Sequence, residues 1–185
     1  RSTARLELVE QIRKWHPRIA VGVSLALTEI AAKRAGMSVC ELWGGARRRN
    51  IPVYASFQSY TPEPDWMRRS LRQVEKVIGK GFSKIKLKIG GKSFREDVQH
   101  LTYVQSLLKG HGQIAVDANQ SYDVATALKW NRVFQKEDHW LWFEEPLPLR
   151  RAEEYQFLRT KCDIPIAGGE NLRTKVEFME WMQKG

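Results

Sequence analysis

The sequence predicts an α/β protein of the (β/α)8-barrel type, with about five β-α units present and a helical segment before them. Five short apolar segments alternate with helical segments, and the last four begin near residues 81, 114, 140 and 164, at intervals of 33, 26 and 24 residues. A doubly wound sheet would show the same alternation. No Gly-x-Gly-x-x-Gly follows the first strand, however, and we therefore favour the barrel.

The N-terminal segment is predicted to be helical. Residues 6–15 and 19–36 carry apolar side chains at helical spacing, and Pro17 and Gly36 mark where these two helices end. Residues 38–42 form a further short turn, followed by a polar connection. We place the domain boundary after residue 48, so that residues 49–185 form the barrel portion.

Five β-α units are predicted from residue 51 onward. The strands are expected at residues 51–57, 81–90, 114–119, 140–145 and 164–168, and the helices at residues 65–81, 94–109, 123–136, 152–161 and 174–184. Eight units close a barrel, whereas five parallel strands leave two open edges. We therefore expect the chain to be a fragment of a longer protein, or to be completed by other residues.

The second predicted strand carries lysines on one face. Lys84, Lys86 and Lys88 alternate with three aliphatic residues, and alternation on a strand places the two sets on opposite faces. One interpretation is a solvated lysine face. The other is a face turned into an enclosed site, where burial or a nearby cation lowers the pKa of a lysine enough to make it a base.

The next three predicted strands each end in a carboxylate. Asp117, Glu144 and Glu170 are separated by 27 and 26 residues, about one β-α unit each. Because the carboxyl ends of parallel barrel strands share one mouth, we expect these carboxylates to lie together. They would repel one another without a cation, and Mg2+ suits a site of a few carboxylates. A Mg2+ ion would also help a nearby lysine to give up its proton, which favours the second interpretation of the lysine strand.

Four motifs in order along the chain carry a family resemblance. They are Gly81-Phe82 with Lys86-Leu87-Lys88-Ile89-Gly90, Val116-Asp117-Ala118-Asn119-Gln120-Ser121, Phe143-Glu144-Glu145-Pro146 and Gly169-Glu170-Asn171. With Glu41-Leu42-Trp43-Gly44-Gly45 before them, these motifs resemble the mandelate racemase/muconate lactonizing enzyme branch of the enolase superfamily. The resemblance covers nearly the whole chain. It implies that residues 1–48 are the C-terminal helical part of a capping domain with its linker, and that residues 49–185 are part of a TIM barrel.

The resemblance also implies roles for individual residues. Asp117, Glu144 and Glu170 would bind Mg2+, and Lys88 would remove a proton alpha to a substrate carboxylate through an enediolate intermediate. Lys86 would adjust the pKa of Lys88 and contact the substrate. Asn119 would contact the substrate or support a ligand. We expect Glu145, which directly follows Glu144, to be a structural partner rather than a ligand.

The proton abstraction is common to several reaction classes, and the sequence favours one of them. Glu144-Glu145-Pro146 and Glu170-Asn171 resemble the acid-sugar dehydratases, which are lyases, more than the cycloisomerases. The alternatives are an isomerase, namely a racemase or epimerase of a hydroxy acid or amino acid derivative, and a non-catalytic truncated remnant. In the family, later strands supply the opposite acid/base group, often a His-Asp pair. The four histidines here follow no predicted strand end, and we expect each at a helix end or on the surface.

Composition limits the partners. The formal net charge of +10 is spread along the chain without a nucleic-acid motif, which favours a small anionic carboxylate substrate over nucleic acid. No apolar run is long enough to cross a membrane. Two distant cysteines suit a reducing cytoplasm. Tryptophan-rich helices around a barrel lead us to expect a homo-oligomer.

Overall fold

The computed structural model describes residues 2–184, and the chain separates into two compact units, residues 1–52 and 53–185. The boundary falls four residues after the predicted one. That the first unit is the end of a capping domain stays a prediction. Within residues 2–184, no helix has both the length and the apolar character needed to span a membrane.

The first unit consists of helices. They are α1 (Ser2–Trp15), α2 (Pro17–Arg34) and the single turn α3 (Val39–Leu42). Pro17 opens α2, where its missing N–H is not needed by the helix. Ser38 and Glu41 begin α3 with a reciprocal capping box, in which the Ser38 hydroxyl accepts the Glu41 N–H and the Glu41 carboxylate accepts the Ser38 N–H.

The second unit alternates strands and helices. In order they are β1 (Ala55–Ser56), α4 (Trp66–Gly79), β2 (Lys84–Lys88), α5 (Phe94–Leu108), β3 (Gln113–Asp117), α6 (Val124–Phe134), β4 (Trp140–Glu144), α7 (Ala152–Arg159), β5 (Ile166–Ala167) and α8 (Lys175–Lys184). All strand pairs are parallel, and the strands lie side by side in chain order. A doubly wound sheet would reverse this order at its switch point. The sequential order is that of a (β/α) barrel and confirms the predicted fold class.

The first and last strands are shorter than predicted. β1 contains two residues where the sequence predicts a strand over 51–57, and β5 contains two where it predicts 164–168. Within the described sheet, each of these strands has a partner on one side only, so fewer residues find ladder hydrogen bonds. Ile51 and Val53 are 76% and 65% exposed, which shows that apolar character there does not reflect strand packing.

The hydrophobic core lies between the sheet and its helices. Ile85, Leu87 and Ile89 are fully buried on one face of β2 and its extension. On the neighbouring elements, the Phe134 ring of α6 packs 5.2 Å from the Phe143 ring of β4. Because this face of β2 is filled by the core, the lysines between these aliphatic residues point to the opposite face of the sheet.

One histidine departs from the prediction. His100 lies inside α5 and is fully buried, so the expectation of a helix-end or surface histidine is wrong for it. Its ring lies 5.3 Å from the Trp66 ring of α4. His16 and His111 are exposed, as expected. His139 is half-buried and lies within hydrogen-bond distance of Gln105.

Candidate metal centre

The ends of β2, β3 and β4 are held in register. Lys88 is paired with Asp117, and Asp117 with Glu144. On the far side Glu144 is paired with Ala167, three residues before Glu170. As a result, oxygens of Asp117, Glu144 and Glu170 lie within 4.8 Å of one another. The structure therefore brings the three predicted ligands together.

Both lysines named as catalytic candidates pair with this triad. Lys88 Nζ donates to Asp117 Oδ2 at 2.5 Å. Lys86 Nζ lies 2.9 and 3.0 Å from the two oxygens of Glu144, and 3.3 Å from Asp117 Oδ2. The lysine side chains are only 11% (Lys86) and 19% (Lys88) exposed. The lysine face is therefore turned into the site, and the solvated alternative does not hold for these two residues.

Charge accounts for the ionisation of the two most enclosed groups. Burial alone would raise the pKa of Asp117, but hydrogen bonds from Lys88 and from the Asn119 backbone, with the charges of both lysines, lower it below its usual range. Burial likewise acts to lower the pKa of Lys86, and Glu144 and Asp117 outweigh it and raise that pKa. In this arrangement Asp117 is held ionised and Lys86 is held protonated.

The remaining predicted residue, Asn119, lies beside the triad. Its backbone N–H donates to Asp117 Oδ1 at 2.9 Å, and its φ of 43° lies in the left-handed region that asparagine tolerates better than most residues. The residue itself is exposed. Asn119 therefore orients Asp117 through its backbone, and its side-chain amide makes no hydrogen bond within residues 2–184.

Sequence reasoning missed two supports of the site. The Trp142 indole N–H donates to Glu144 Oε2 at 2.9 Å, and the Tyr54 ring lies edge-on, 5.2 Å from the Trp142 ring. Trp142 stands two residues before Glu144 and so on the same strand face, a signal that alternation could have supplied. Ser59 is buried and accepts the Lys88 backbone N–H at 2.7 Å. It lies in a loop, where no periodic signal exists.

The donor set fits a hard divalent cation. Three carboxylates converge from three neighbouring strand ends, and the two ammonium groups leave one negative charge uncompensated, since two positive and three negative groups sum to −1. Oxygen-only ligands of this kind are those that Mg2+ prefers. Asp117 is fully buried whereas Glu170 is exposed, so the cluster is open on the Glu170 side.

This chain matches the model of a known protein family and is similar in sequence to characterised proteins. The model of the family described as "Enolase C-terminal domain-like" matches residues 69–185. Arabinonate dehydratase of Saccharolobus solfataricus is 35% identical over 164 residues, which cover 88% of this chain and 43% of that protein. The chain therefore spans less than half the length of this relative.

Solved structures of other proteins share the fold. L-Talarate dehydratase from Polaromonas sp. JS666, complexed with Mg and L-glucarate, superposes with a TM-score of 0.78 at 26% identity, covering 98% of this chain and 52% of that one. The 3,6-anhydro-D-galactonate cycloisomerase from Zobellia galactanivorans superposes with a TM-score of 0.87, covering 99% of this chain and 51% of that one. Its identity of 23% makes this a likeness of fold alone.

Proposed function

This chain belongs to the enolase C-terminal domain-like family, and on that premise we propose that it carries the proton-abstracting half of a Mg2+-dependent acid-sugar dehydratase, a lyase. The single observation that carries the proposal is the convergence of three carboxylates within 4.8 Å of one another, with two lysines paired to them. The acid-sugar dehydratases among the relatives support this reaction class over a racemase.

Asp117, Glu144 and Glu170 are the residues proposed to hold the metal. The Mg2+ bound in the L-talarate dehydratase structure supports the choice of ion. When bound, Mg2+ would supply positive charge that offsets the negative charge developing on the substrate carboxylate as the alpha proton leaves. The buried Asp117 carboxylate, oriented by the Asn119 N–H, is the fixed point of the set.

Lys88 is the proposed base. Its Nζ lies at the edge of the triad and its side chain is partly accessible. In its neutral amine form, Lys88 would receive the alpha proton of the substrate. Lys86 is more enclosed and contacts two of the carboxylates, so its ammonium group lies beside Lys88 and is placed to attract a substrate anion. The free side-chain amide of Asn119 is proposed to contact the substrate.

The partners follow from this chemistry. We propose a small anionic acid-sugar carboxylate as the substrate, in keeping with the formal net charge of +10, and no nucleic-acid or membrane partner. We also propose a cytoplasmic location, supported by Cys40 and Cys162 both being free thiols. A homo-oligomer is supported by the exposed apolar side chains Val176 and Met182 on α8, and sedimentation equilibrium would test it.

Exchange of the alpha proton tests the proposal. With Mg2+ and arabinonate in D2O, the chain is expected to introduce deuterium at the alpha carbon, and Lys88→Ala should slow this exchange by roughly 100-fold or more. Lys84→Ala is the matched control, because Lys84 begins the same strand and makes no ion pair within residues 2–184.

Calorimetry with Mg2+ tests the metal site separately. The chain is expected to bind the ion, and the Asp117→Asn, Glu144→Gln double variant should not. Failure of the folded chain to bind Mg2+, or exchange that persists in Lys88→Ala, would contradict the proposal.

A further inference from the structure

Glu145 is a buried carboxylate next to a candidate metal ligand. It directly follows Glu144, is only 1% exposed and makes no ion pair within residues 2–184. A buried carboxylate without a cation needs hydrogen bonds to offset its lost hydration. The donors that supply them come from loops on both sides of β4.

The first donor lies in the loop after β3. Gln120 Nε2 donates to Glu145 Oε2 at 2.9 Å, and the Gln120 backbone N–H donates to the Glu145 carbonyl at 2.7 Å. The other end of the same amide accepts the Leu149 N–H at 3.1 Å. The orientation of the Gln120 amide is therefore fixed, since the Leu149 backbone N–H can only donate and so must face the amide oxygen, which leaves the amide N–H groups facing Glu145.

The second donor lies in the loop after β5. The Gly169 N–H donates to Glu145 Oε1 at 3.4 Å, one residue before Glu170. The Glu145 backbone N–H also donates to the Ala167 carbonyl at 2.9 Å. The Glu145 side chain thus joins the loop that follows Asp117 to the loop that carries Glu170. Glu145 itself is the residue directly after Glu144.

The backbone at these positions is strained. Gln120 and Glu145 have φ values of 64° and 38°, in the left-handed region that non-glycine residues rarely occupy. Such conformations persist where surrounding contacts enforce them, and they occur often at functional sites. Here a backbone and a side-chain hydrogen bond hold these two residues together.

We propose that the Glu145 carboxylate and the Gln120 amide form a clamp that fixes the relative positions of Asp117, Glu144 and Glu170. This inference rests on the proposed function, because it assigns the clamp a purpose in metal binding. Glu145 and Gln120 are positioning residues: they act through the three ligands and touch neither metal nor substrate. Outer residues that orient metal ligands commonly change affinity by about 10- to 100-fold when they are substituted.

A reciprocal exchange of the two side chains separates the clamp from simple packing. Glu145→Gln alone places one amide N–H against either Gln120 Nε2 or the Gly169 N–H, so one hydrogen bond is lost. Gln120→Glu alone places two carboxylates face to face. The double variant Gln120→Glu, Glu145→Gln restores all three side-chain hydrogen bonds, with the central one reversed, because position 120 again accepts from Leu149 and position 145 again accepts from Gly169.

The experiment measures Mg2+ affinity by calorimetry for these variants of the full chain. Each single variant is expected to bind Mg2+ about 10-fold more weakly, and the double variant should recover most of that loss. Glu137→Gln is the control, since it removes an equal charge from an exposed position outside the site. Single variants with unchanged affinity, or a double variant as weak as the singles, would overturn the proposal.

Amide hydrogen exchange keeps the clamp testable apart from the metal. Without Mg2+, the Gly169 N–H is expected to lose protection in the single variants and to regain it in the double variant. Failure of the unsubstituted chain to bind Mg2+ would contradict the proposed function alone. Unchanged Gly169 protection in both single variants would contradict the clamp alone.

Discussion

At the scale of single residues, the candidate ligands are held by neighbours that bind no metal themselves. Glu144 shows this most directly, because its two oxygens already accept from Lys86 and its Oε2 also accepts from the Trp142 indole. A cation entering the triad competes with the Lys86 ammonium for these oxygens. The indole N–H carries no charge and can keep its hydrogen bond while the cation binds, so Trp142 sets the orientation of Glu144 in either state.

We therefore expect Trp142→Phe to weaken Mg2+ binding by roughly 10-fold, since the variant keeps an aromatic ring but loses the N–H that orients Glu144. Titration calorimetry would measure this. Trp140→Phe is the matched control on the same strand, because the Trp140 indole donates to the Phe134 carbonyl, away from the site. Equal losses in both variants would show that strand packing, and not the Glu144 hydrogen bond, governs affinity.

At the scale of elements, α5 contains two buried groups whose titrations oppose each other. Burial lowers the pKa of His100 from 6.5 to about 4. Burial raises the pKa of Asp97 from 3.8 to about 6, although a hydrogen bond from the Gly90 N–H acts in the other direction. His100 therefore contributes stability above pH 6.5 that is lost as the pH falls towards 4. Asp97 contributes stability below pH 3.8 that is lost as the pH rises towards 6.

Between pH 4 and 6 the two contributions have opposite slopes and nearly cancel. In Asp97→Asn only the His100 contribution remains. The free energy of unfolding should therefore rise with pH over this range by on the order of 3 kcal/mol relative to the unsubstituted chain. His100→Leu should leave only the Asp97 contribution, so that the free energy of unfolding falls with pH over this range relative to the unsubstituted chain. Urea unfolding across this pH range would measure both. If the free energy of unfolding of each variant differed from that of the unsubstituted chain by the same amount at every pH, the shifted pKa values of Asp97 and His100 would be contradicted.

The same helix shows what the sequence could and could not predict. Asp97, His100, Leu101 and Val104 recur at helical spacing on one buried stripe, so the burial of His100 is predictable from periodicity. The triad was predictable because one β-α unit separates its members and parallel strand ends meet at one edge. The length of β1 was not predictable, because an edge strand extends only as far as its single neighbour pairs with it. Gln120 belongs to the motif that ends β3, but its hydrogen bond to Glu145 was not predictable, since loops have no period.

At the scale of the whole molecule, the candidate site belongs to one unit. The three carboxylates, both lysines and every support described above lie between residues 53 and 185. The family match also falls within this unit, at residues 69–185. The described residues before residue 53 form a separate compact unit of helices. We therefore expect metal binding to be a property of the second unit.

We expect a fragment of residues 53–185 to fold and to bind Mg2+ with the affinity of the full chain, because the carboxylates, the lysines and the Glu145–Gln120 clamp are all retained. Circular dichroism would measure folding, and calorimetry would measure affinity. The same fragment with Asp117→Asn is the negative control. A folded fragment that binds Mg2+ much more weakly than the full chain would show that residues 1–52 help to build the metal site. An unfolded fragment would show that the second unit depends on the first for its stability.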